Sequence, residues 1–444
     1  MIGEKESTYF GLSTPLGRSA TATIRISGYK SKSVLSKITA GKLKNPKHKN
    51  TSVFDIYSKN NDLIDNVLIT FFEAPNSYTG EDLIEIHTHG NPVIIDMVYD
   101  TLFDLGLRLA EPGEFTRTAY LNDKIDLIQA EGILSLINSN TKEGVGLSLN
   151  NISGSLSKKT KQMRSNIIST LGLIEYELDI SEKDNQQRTI TQAHKNIKNL
   201  LIETSELIST AKYARIKTIG AQIVIYGKPN AGKSTLFNSL LNYDRSIVTD
   251  IKGTTRDTIE EVSSVGNHSV VFIDTAGVRT TEDPIEKLGV KRTQEKVNSA
   301  DLSLHMITSV PKKTKLKPKN NITVLNKIDL LGKRELNKVR NNKDLVCVSA
   351  KNKTGIRLLL KRINKELDLK TRNKVANQIT SPRQELSLRN AQKELQKALE
   401  SREDSLEIMA HHLTGAIKAF DVLIGRTSPD DILESVFSNF CVGK

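Results

Sequence analysis

The stretch that most constrains this chain is Gly227-Lys-Pro-Asn-Ala-Gly-Lys-Ser234. The apolar run Ala221-Gln-Ile-Val-Ile-Tyr226 precedes it and reads as a buried strand, and Thr235-Leu-Phe-Asn-Ser-Leu-Leu241 follows with helical periodicity. Strand, glycine loop and helix at G-x-x-x-x-G-K-[ST] spacing aim backbone N–H groups and the positive end of a helix dipole at phosphate oxygens. Lys233 is placed to reach the β- and γ-phosphates and Ser234 to offer its hydroxyl to Mg²⁺, with Asn230, Ala231, Gly232 and Thr235 completing the cradle.

Residues downstream name the nucleotide. Asn326-Lys327-Ile328-Asp329 follows the strand-like Ile322-Thr-Val-Leu325, and a carboxylate at Asp329 can accept from both N1–H and the 2-amino group of guanine, which adenine cannot match. Ser349-Ala350-Lys351 follows Leu345-Val-Cys-Val348 and would close over the base. Asp274-Thr275-Ala276-Gly277 follows Val270-Val-Phe-Ile273, so Asp274 would orient Mg²⁺ through water and Gly277 would meet the γ-phosphate by its N–H. Gly253-Thr-Thr-Arg-Asp257 is the switch that should bring Thr255 to Mg²⁺. Val278 stands where small signalling GTPases carry glutamine and cannot position water; Glu286, in Asp283-Pro-Ile-Glu-Lys-Leu-Gly289, is the carboxylate in reach of that loop. Arg256 and Arg279 could serve as arginine fingers in cis, and a bound monovalent cation would supply the same charge between β- and γ-phosphates.

At 444 residues the chain should form two or three domains. Two cysteines, Cys347 and Cys441, cannot make a disulfide framework, which points to a reducing, cytosolic setting. Met1-Ile-Gly-Glu-Lys-Glu does not read as a signal peptide, and no apolar run approaches a membrane span. A net charge of +13 permits a polyanionic partner without requiring one. Lysine is concentrated in Lys42 to Lys49 and Lys312 to Lys319, which read as loops carrying either solvated charge or nucleic-acid contacts. Aromatic residues are few and Trp is absent, which leaves single-strand RNA readout by a stacking module unsupported.

Around the nucleotide motifs the spacing predicts an N-terminal α+β domain over 1–120, a discontinuous helical domain over 121–214 and 375–444, and an inserted Ras-like nucleotide domain with a mostly parallel sheet over 215–374. Thr21 to Ile26, Asn66 to Phe72 and Leu83 to Thr88 read as strands. Asn91 to Leu105 reads as a helix, with Val93, Met97, Val98, Leu102 and Leu105 on one face and Gly106 as its stop. Met163, Ile167, Leu171, Ile174 and Leu178 form one later helical stripe, and Ile197, Leu200, Leu201, Leu207, Ile208 and Ala211 another. Ser428-Pro-Asp-Asp431 should open the last helix, with Ser428 as N-cap. Arg25 and Glu85, each a charge amid strand residues, either face solvent or line a pocket. His87-x-His89 lacks the nearby Cys or His that would complete a metal shell.

The Gly-Thr-Thr-Arg-Asp switch, the Asp-Thr-Ala-Gly loop without glutamine, the nested nucleotide domain and the final Cys441-Val-Gly-Lys444 together resemble the MnmE (TrmE) family of tRNA-modification GTPases. Pro15 to Arg18, Arg25 to Gly28, Ser77 to Asp82, Pro112 to Phe115 and Leu121 to Lys124 also look like that family, so the likeness runs from about Tyr9 to Lys444. The resemblance implies a homodimer formed through the N-terminal domain. It also implies a flavoprotein partner, MnmG (GidA), in a heterotetramer or larger complex, and aminomethyl or carboxymethylaminomethyl transfer to C5 of the wobble uridine of certain tRNAs. The one-carbon unit would come from a tetrahydrofolate derivative, 5-formyl- or methylene-, lined by Arg25, Glu85, Lys124 and Lys444. Hydrolysis would be potassium-activated, with K⁺ near Asn230, Thr249, Ile251 and Thr254, within a GTP-contacting segment that includes Asp250, Lys252 and Gly253, and with Glu286 orienting the attacking water. Cys441 is a candidate functional thiol or a structural one, and Val442 departs from the family's usual Ile or Leu. The competing reading is a potassium-dependent GTPase of the ribosome-assembly group, which usually attaches an RNA-binding domain after its nucleotide domain instead of nesting it.

Overall fold

The structure, a computed structural model, describes residues 7–179, 186–241, 260–266, 268–274, 296–309, 320–340, 342, 344–370, 378–401, 406–427 and 429–444. They form two compact units: Met1–Leu134 with Ile152–Leu200 and Ser387–Lys444, and Ser135–Asn151 with Leu201–Leu386.

The first unit is built on strands β1 (Tyr9–Leu12), β2 (Ser19–Ser27), β3 (Thr51–Tyr57), β4 (Leu63–Phe72), β5 (Leu83–Gly90) and β6 (Arg108–Leu109), in the order β3-β4-β5-β2-β1-β6. Every pairing is antiparallel except β1 with β6. Strand alternation sends Ile24, Ile26, Val67, Ile69, Phe71, Ile84 and Ile86 into a core shared with α1 (Ser31–Ile38) and α2 (Pro92–Asp104). The intervening residues, among them Arg25, Glu85 and His87, are left on the other face of the sheet.

Asn91 caps α2 by accepting from the Val93 N–H. The buried arc differs from the expected one: Ile95, Val98, Thr101 and Leu102 face the core, whereas Val93 is 63 % and Met97 36 % exposed. At about 100° per residue Met97 and Val93 lie roughly 100° and 140° from Val98, outside the arc that Leu102 and Leu105 share with it.

Helices follow: α3 (Glu114–Leu121), α4 (Leu127–Asn138), α5 (Lys142–Ile152), α6 (Ser155–Asp179) and α7 (Gln186–Thr218). A reciprocal cap starts α4: Gln129 N–H donates to Asp126 Oδ1 at 3.1 Å, and Asp126 N–H donates to Gln129 Oε1 at 3.0 Å. Along α6 the expected stripe is buried at Met163, Ile167 and Ile174, half-buried at Leu171 and exposed at Leu178, next to the helix end.

The second unit carries β7 (Ala221–Gly227), α8 (Lys233–Leu241), β8 (Glu260–Val265), β9 (His268–Asp274), β10 (Leu302–Ile307), β11 (Asn321–Leu325), α9 (Lys333–Arg340), β12 (Leu345–Cys347) and α10 (Ile356–Lys370). Its sheet runs β12-β11-β10-β7-β9-β8, parallel throughout except for β8. The apolar strands bury Ile223, Ile225, Phe272, Leu304 and Val324 against α8 and α10, as parallel sheets covered by helices require. Buried Asp301 fixes the approach of α7, pairing with Arg215 while accepting from the Gln222 N–H at 2.9 Å.

The chain closes with α11 (Pro382–Glu400), α12 (Leu406–Ile424) and α13 (Asp430–Phe437) in the described residues. Helix α13 starts later than expected: Pro429 takes the N-cap position at φ −53° and ψ 146° without a side-chain cap bond, and Ser428 lies outside the described residues. The acids Asp430 and Asp431 still occupy its first turn. No helix among the described residues is long and apolar enough to cross a membrane.

In the first unit α12 packs on α6, and Arg164 Nε and Nη2 grip the Asp421 carboxylate at 2.7 and 3.1 Å. The pair is mostly shielded, at 18 % and 13 % side-chain exposure. Replacing one partner strands the other charge between two helices. Asp421→Ala should therefore cost about 2–3 kcal/mol, near the lower end for breaking a buried pair because some solvent remains. The loss would be read as a lower urea midpoint by circular dichroism, and Asp421→Asn should lose less because it keeps an acceptor.

Candidate functional site

The sheet order places β7 centrally, with β9 on one side and β10 on the other, so the crevice beyond its C-terminal end is where an open α/β sheet binds ligands. That end is the glycine loop. Gly227 has φ +154°, and a Cβ there would lie 2.4 Å from the Met306 carbonyl oxygen of β10. Asn230 is left-handed at φ +60°. Gly232, at φ +89°, lets the loop pass so close to Asn326 that a Cβ would meet its Nδ2 at 2.4 Å. Both motif glycines are thus demanded by close approach as well as by backbone angle.

Lys233, opening α8, folds back over the loop, its ammonium donating to the Gly227 and Lys228 carbonyls at 3.2 Å each. Ser234 and Thr235 are exposed at the same helix end. A left-handed turn, a helix N-terminus and an ammonium suit a polyphosphate.

The base side is tied to the phosphate side through Asn326. Its buried amide donates from Nδ2 to the Ala231 carbonyl at 2.8 Å and accepts at Oδ1 from the Ala350 N–H at 3.0 Å. Lys327 then takes a left-handed φ of +62°, turning the chain so that Ile328 N–H meets the Val348 carbonyl at 3.3 Å and Asp329 reaches the surface. A hydrogen bond from the Ser349 hydroxyl, with smaller contributions from its own backbone N–H, Lys351 and Lys327, holds the Asp329 carboxyl below the ordinary aspartate range. The carboxylate that guanine's two N–H donors require is therefore ionised well into acid.

Asp274 is the last residue of β9, opposite Ile225 in the register. Thr249, Asp250, Ile251, Lys252, Gly253, Thr254, Thr255, Thr275, Ala276, Gly277 and Glu286 lie outside the described residues.

A second cluster lies in the first unit. Arg25 and Glu85 face each other across β2 and β5, with Nε donating to Oε1 at 2.8 Å and about one-fifth of each side chain exposed, 22 % and 21 %. They form a half-buried pair with further partners. The Arg25 guanidinium stands 5.9 Å from the centre of the Tyr78 ring and donates to the Gly443 carbonyl at 3.4 Å.

The last residues are seated on β1 by fit. At Gly443, with φ +92°, a Cβ would stand 2.2 Å from the Leu12 carbonyl oxygen. Ser13 Oγ donates to the Gly443 carbonyl at 3.0 Å. Burial above all, and then the Arg25 charge, push the Lys444 ammonium below the ordinary lysine range, against the opposing pull of Cys441 and Glu85. Lys124 donates to the Pro75 carbonyl at 2.9 Å and touches the same loop that carries Tyr78. Cys441 is exposed, and its carbonyl accepts from Gly113 N–H at 3.4 Å. His87 Nδ1 pairs with Thr23 Oγ1 at 3.0 Å, and His89 Nδ1 with Asp65 at 2.8 Å.

Two family models match: one described as MnmE helical domain over residues 127–441, and one described as GTP-binding protein TrmE N-terminus over residues 8–124. A tRNA modification GTPase MnmE of Pseudothermotoga lettingae is 37 % identical over 454 residues, covering 98 % of this chain and 99 % of the relative. That of Aquifex aeolicus is 35 % identical over 445 residues, with 98 % of each chain covered. This chain belongs to the MnmE family.

In the first unit Arg25 meets Glu85 and the C-terminal Gly443 carbonyl, while the Ser77 to Asp82 stretch supplies Tyr78. Two members were not read from sequence as site residues, the Tyr78 ring and the Gly443 carbonyl. Each lies inside a stretch whose motif was visible, so the signal was the motif and the missing knowledge was which atoms turn inward.

Asn326→Ala removes both ties between the phosphate and base loops and should weaken GDP affinity at least about tenfold in a fluorescent-nucleotide titration. Because the Asp329 carboxyl is held low, the factor by which Asp329→Asn weakens GDP affinity should be the same at pH 7 and at about pH 5, the protonation of the nucleotide's own phosphate being common to both proteins. A mutant-to-wild-type ratio that shrinks towards pH 5 would contradict the assignment of Asp329 to the base.

Proposed function

We propose that this chain binds and hydrolyses GTP and couples that cycle to tRNA modification. The observation that carries the reading is a similarity that runs through nearly the whole chain, 98 % of it at 37 % identity, to proteins described as tRNA modification GTPases. The reaction would be aminomethyl or carboxymethylaminomethyl transfer to C5 of a wobble uridine, carried out with a flavoprotein of the MnmG (GidA) kind by a homodimer in the cytosol. In the domain plan that fits this reading, 1–120 form the dimerising N-terminal domain, 121–214 with 375–444 the helical domain, and 215–374 the inserted nucleotide domain.

Lys233 and the N–H groups of the loop from Asn230 to Thr235 would bind the phosphates, and Ser234 with Thr255 would hold Mg²⁺, which neutralises charge between the phosphates. Asp329, Asn326, Lys327, Ser349 and Ala350 would bind guanine. Asn230 with Thr249, Ile251 and Thr254 would hold K⁺, and Glu286 would orient the water that Val278 cannot. Arg25, Lys444 and Lys124 bring positive charge, Glu85 an acceptor and Tyr78 a ring face, a set suited to an anionic heterocycle such as a tetrahydrofolate derivative.

Deleting the gene and analysing tRNA nucleosides tests the reading directly. The wobble modification should vanish, return with the wild-type gene and fail to return with Lys233→Ala; unchanged tRNA would sink it. GTP turnover should be several-fold faster in K⁺ than in Na⁺ and lose that preference in Asn230→Ala. Glu286→Ala should lower turnover by about a hundredfold or more with GDP affinity nearly kept, since positioning a nucleophile acts on the transition state.

A further inference from the structure

We infer that Ser239, on the buried face of α8, is a positioning residue for the guanine-binding loop, coupling that loop to the phosphate helix so that both hold or release nucleotide as one unit. The inference rests on the reading of this cleft as a GTP site and adds a residue outside its recognised motifs.

Ser239 is 7 % exposed, among Leu236, Phe237 and Leu240, where an apolar side chain would pack equally well. Its Oγ lies 2.8 Å from two carbonyl oxygens, those of Thr235 and Ala350. A hydroxyl has one proton to give. The Thr235 carbonyl is one turn back in the same helix, an acceptor available to any helical serine. The Ala350 carbonyl belongs to the base loop, 111 residues away in sequence, and it is the contact that depends on this fold.

The peptide groups at Ala350 are held on both sides. The Ala350 N–H donates to Asn326 Oδ1 at 3.0 Å, its carbonyl accepts from Ser239, and Asn326 Nδ2 donates to the Ala231 carbonyl at 2.8 Å. Following the bonds from Ala231 through Asn326, Ala350 and Ser239, then back along α8 through Lys233 and Gly232, closes a ring. The base loop cannot lift from the sheet without breaking a buried hydrogen bond or dragging the helix whose N-terminus faces the phosphates. Buried amide, carbonyl and hydroxyl groups are costly to leave unpaired, which makes the ring resist opening one link at a time.

Ser239→Ala deletes one oxygen, leaves the packing volume nearly unchanged and favours the helix, so the fold is retained while the link is lost. With the full chain, release of a fluorescent GDP analogue followed by stopped flow should be about three- to tenfold faster in Ser239→Ala, the range expected for one net hydrogen bond. KM for GTP should rise by a similar factor while kcat keeps at least about half its value. Ser239→Thr, which keeps the hydroxyl, should restore slow release. The melting temperature without nucleotide should fall by no more than about 4 °C in Ser239→Ala, the cost of one buried acceptor less the gain in helix propensity, and by less than about 2 °C in Ser239→Thr.

A release rate in Ser239→Ala equal to wild type would overturn the inference. So would a loss confined to kcat, a failure of the threonine variant to restore slow release, or a destabilisation without nucleotide large enough to account for faster release. Wild-type chain that binds no GDP analogue would instead overturn the GTP reading and this inference with it.

Discussion

The side-chain amide of Asn326 is the interaction on which the nucleotide cleft depends. A buried primary amide is costly unless its donor and acceptor are both engaged, and here they engage two different loops, at the Ala231 carbonyl and the Ala350 N–H. Those loops, and the one carrying Asn326 itself, leave the C-terminal ends of β7, β12 and β11. A parallel sheet gathers such ends at one edge but does not by itself fix their mutual distance. One amide does so, and the left-handed Lys327 next to it then delivers Asp329 to the surface with the Ser349 hydroxyl against its carboxylate.

The first unit uses a different device to similar effect. Its antiparallel sheet is covered by α1 and α2 on one face, so the alternation that buries Ile24, Ile26, Ile84 and Ile86 leaves Arg25 and Glu85 paired across the other. Their pairing is set by strand register. Two loop-borne groups then close on Arg25, the Tyr78 ring and the Gly443 carbonyl. Burial and then the Arg25 guanidinium disfavour the charged form of Lys444, against the opposing pull of Cys441 and Glu85.

What could be read beforehand was whatever local pattern controls. The phosphate loop, the guanine motif and the strands before them depend on spacing and strand or helix period, and their elements occur where those periods place them. The buried face of α2 departs from the expected one because Val93 and Met97 satisfy an i, i+4 rule with each other while sitting about 100° or more from the centre of the apolar arc; both are exposed. The start of α13 departs from the expected one because a serine followed by proline and two acids is a good cap signature, yet backbone angles put Pro429 itself at the cap. Arg25 and Glu85 were ambiguous for a deeper reason. Whether a strand charge meets solvent or a pocket is decided by what packs over it, and here that includes Gly443, 418 residues further along.

That separation has a consequence for how the molecule is made. The sheet of β1 to β6 needs nothing beyond residue 110 for its own hydrogen bonds, so it can form early in synthesis with Arg25 already facing Glu85. The contact of Ser13 with Gly443 spans 430 residues, so during translation at some 5–20 residues per second that contact is missing for tens of seconds after the sheet has emerged. The sheet can therefore be hydrogen-bonded before Gly443 reaches Arg25 and Ser13, and an N-terminal fragment would lack those contacts.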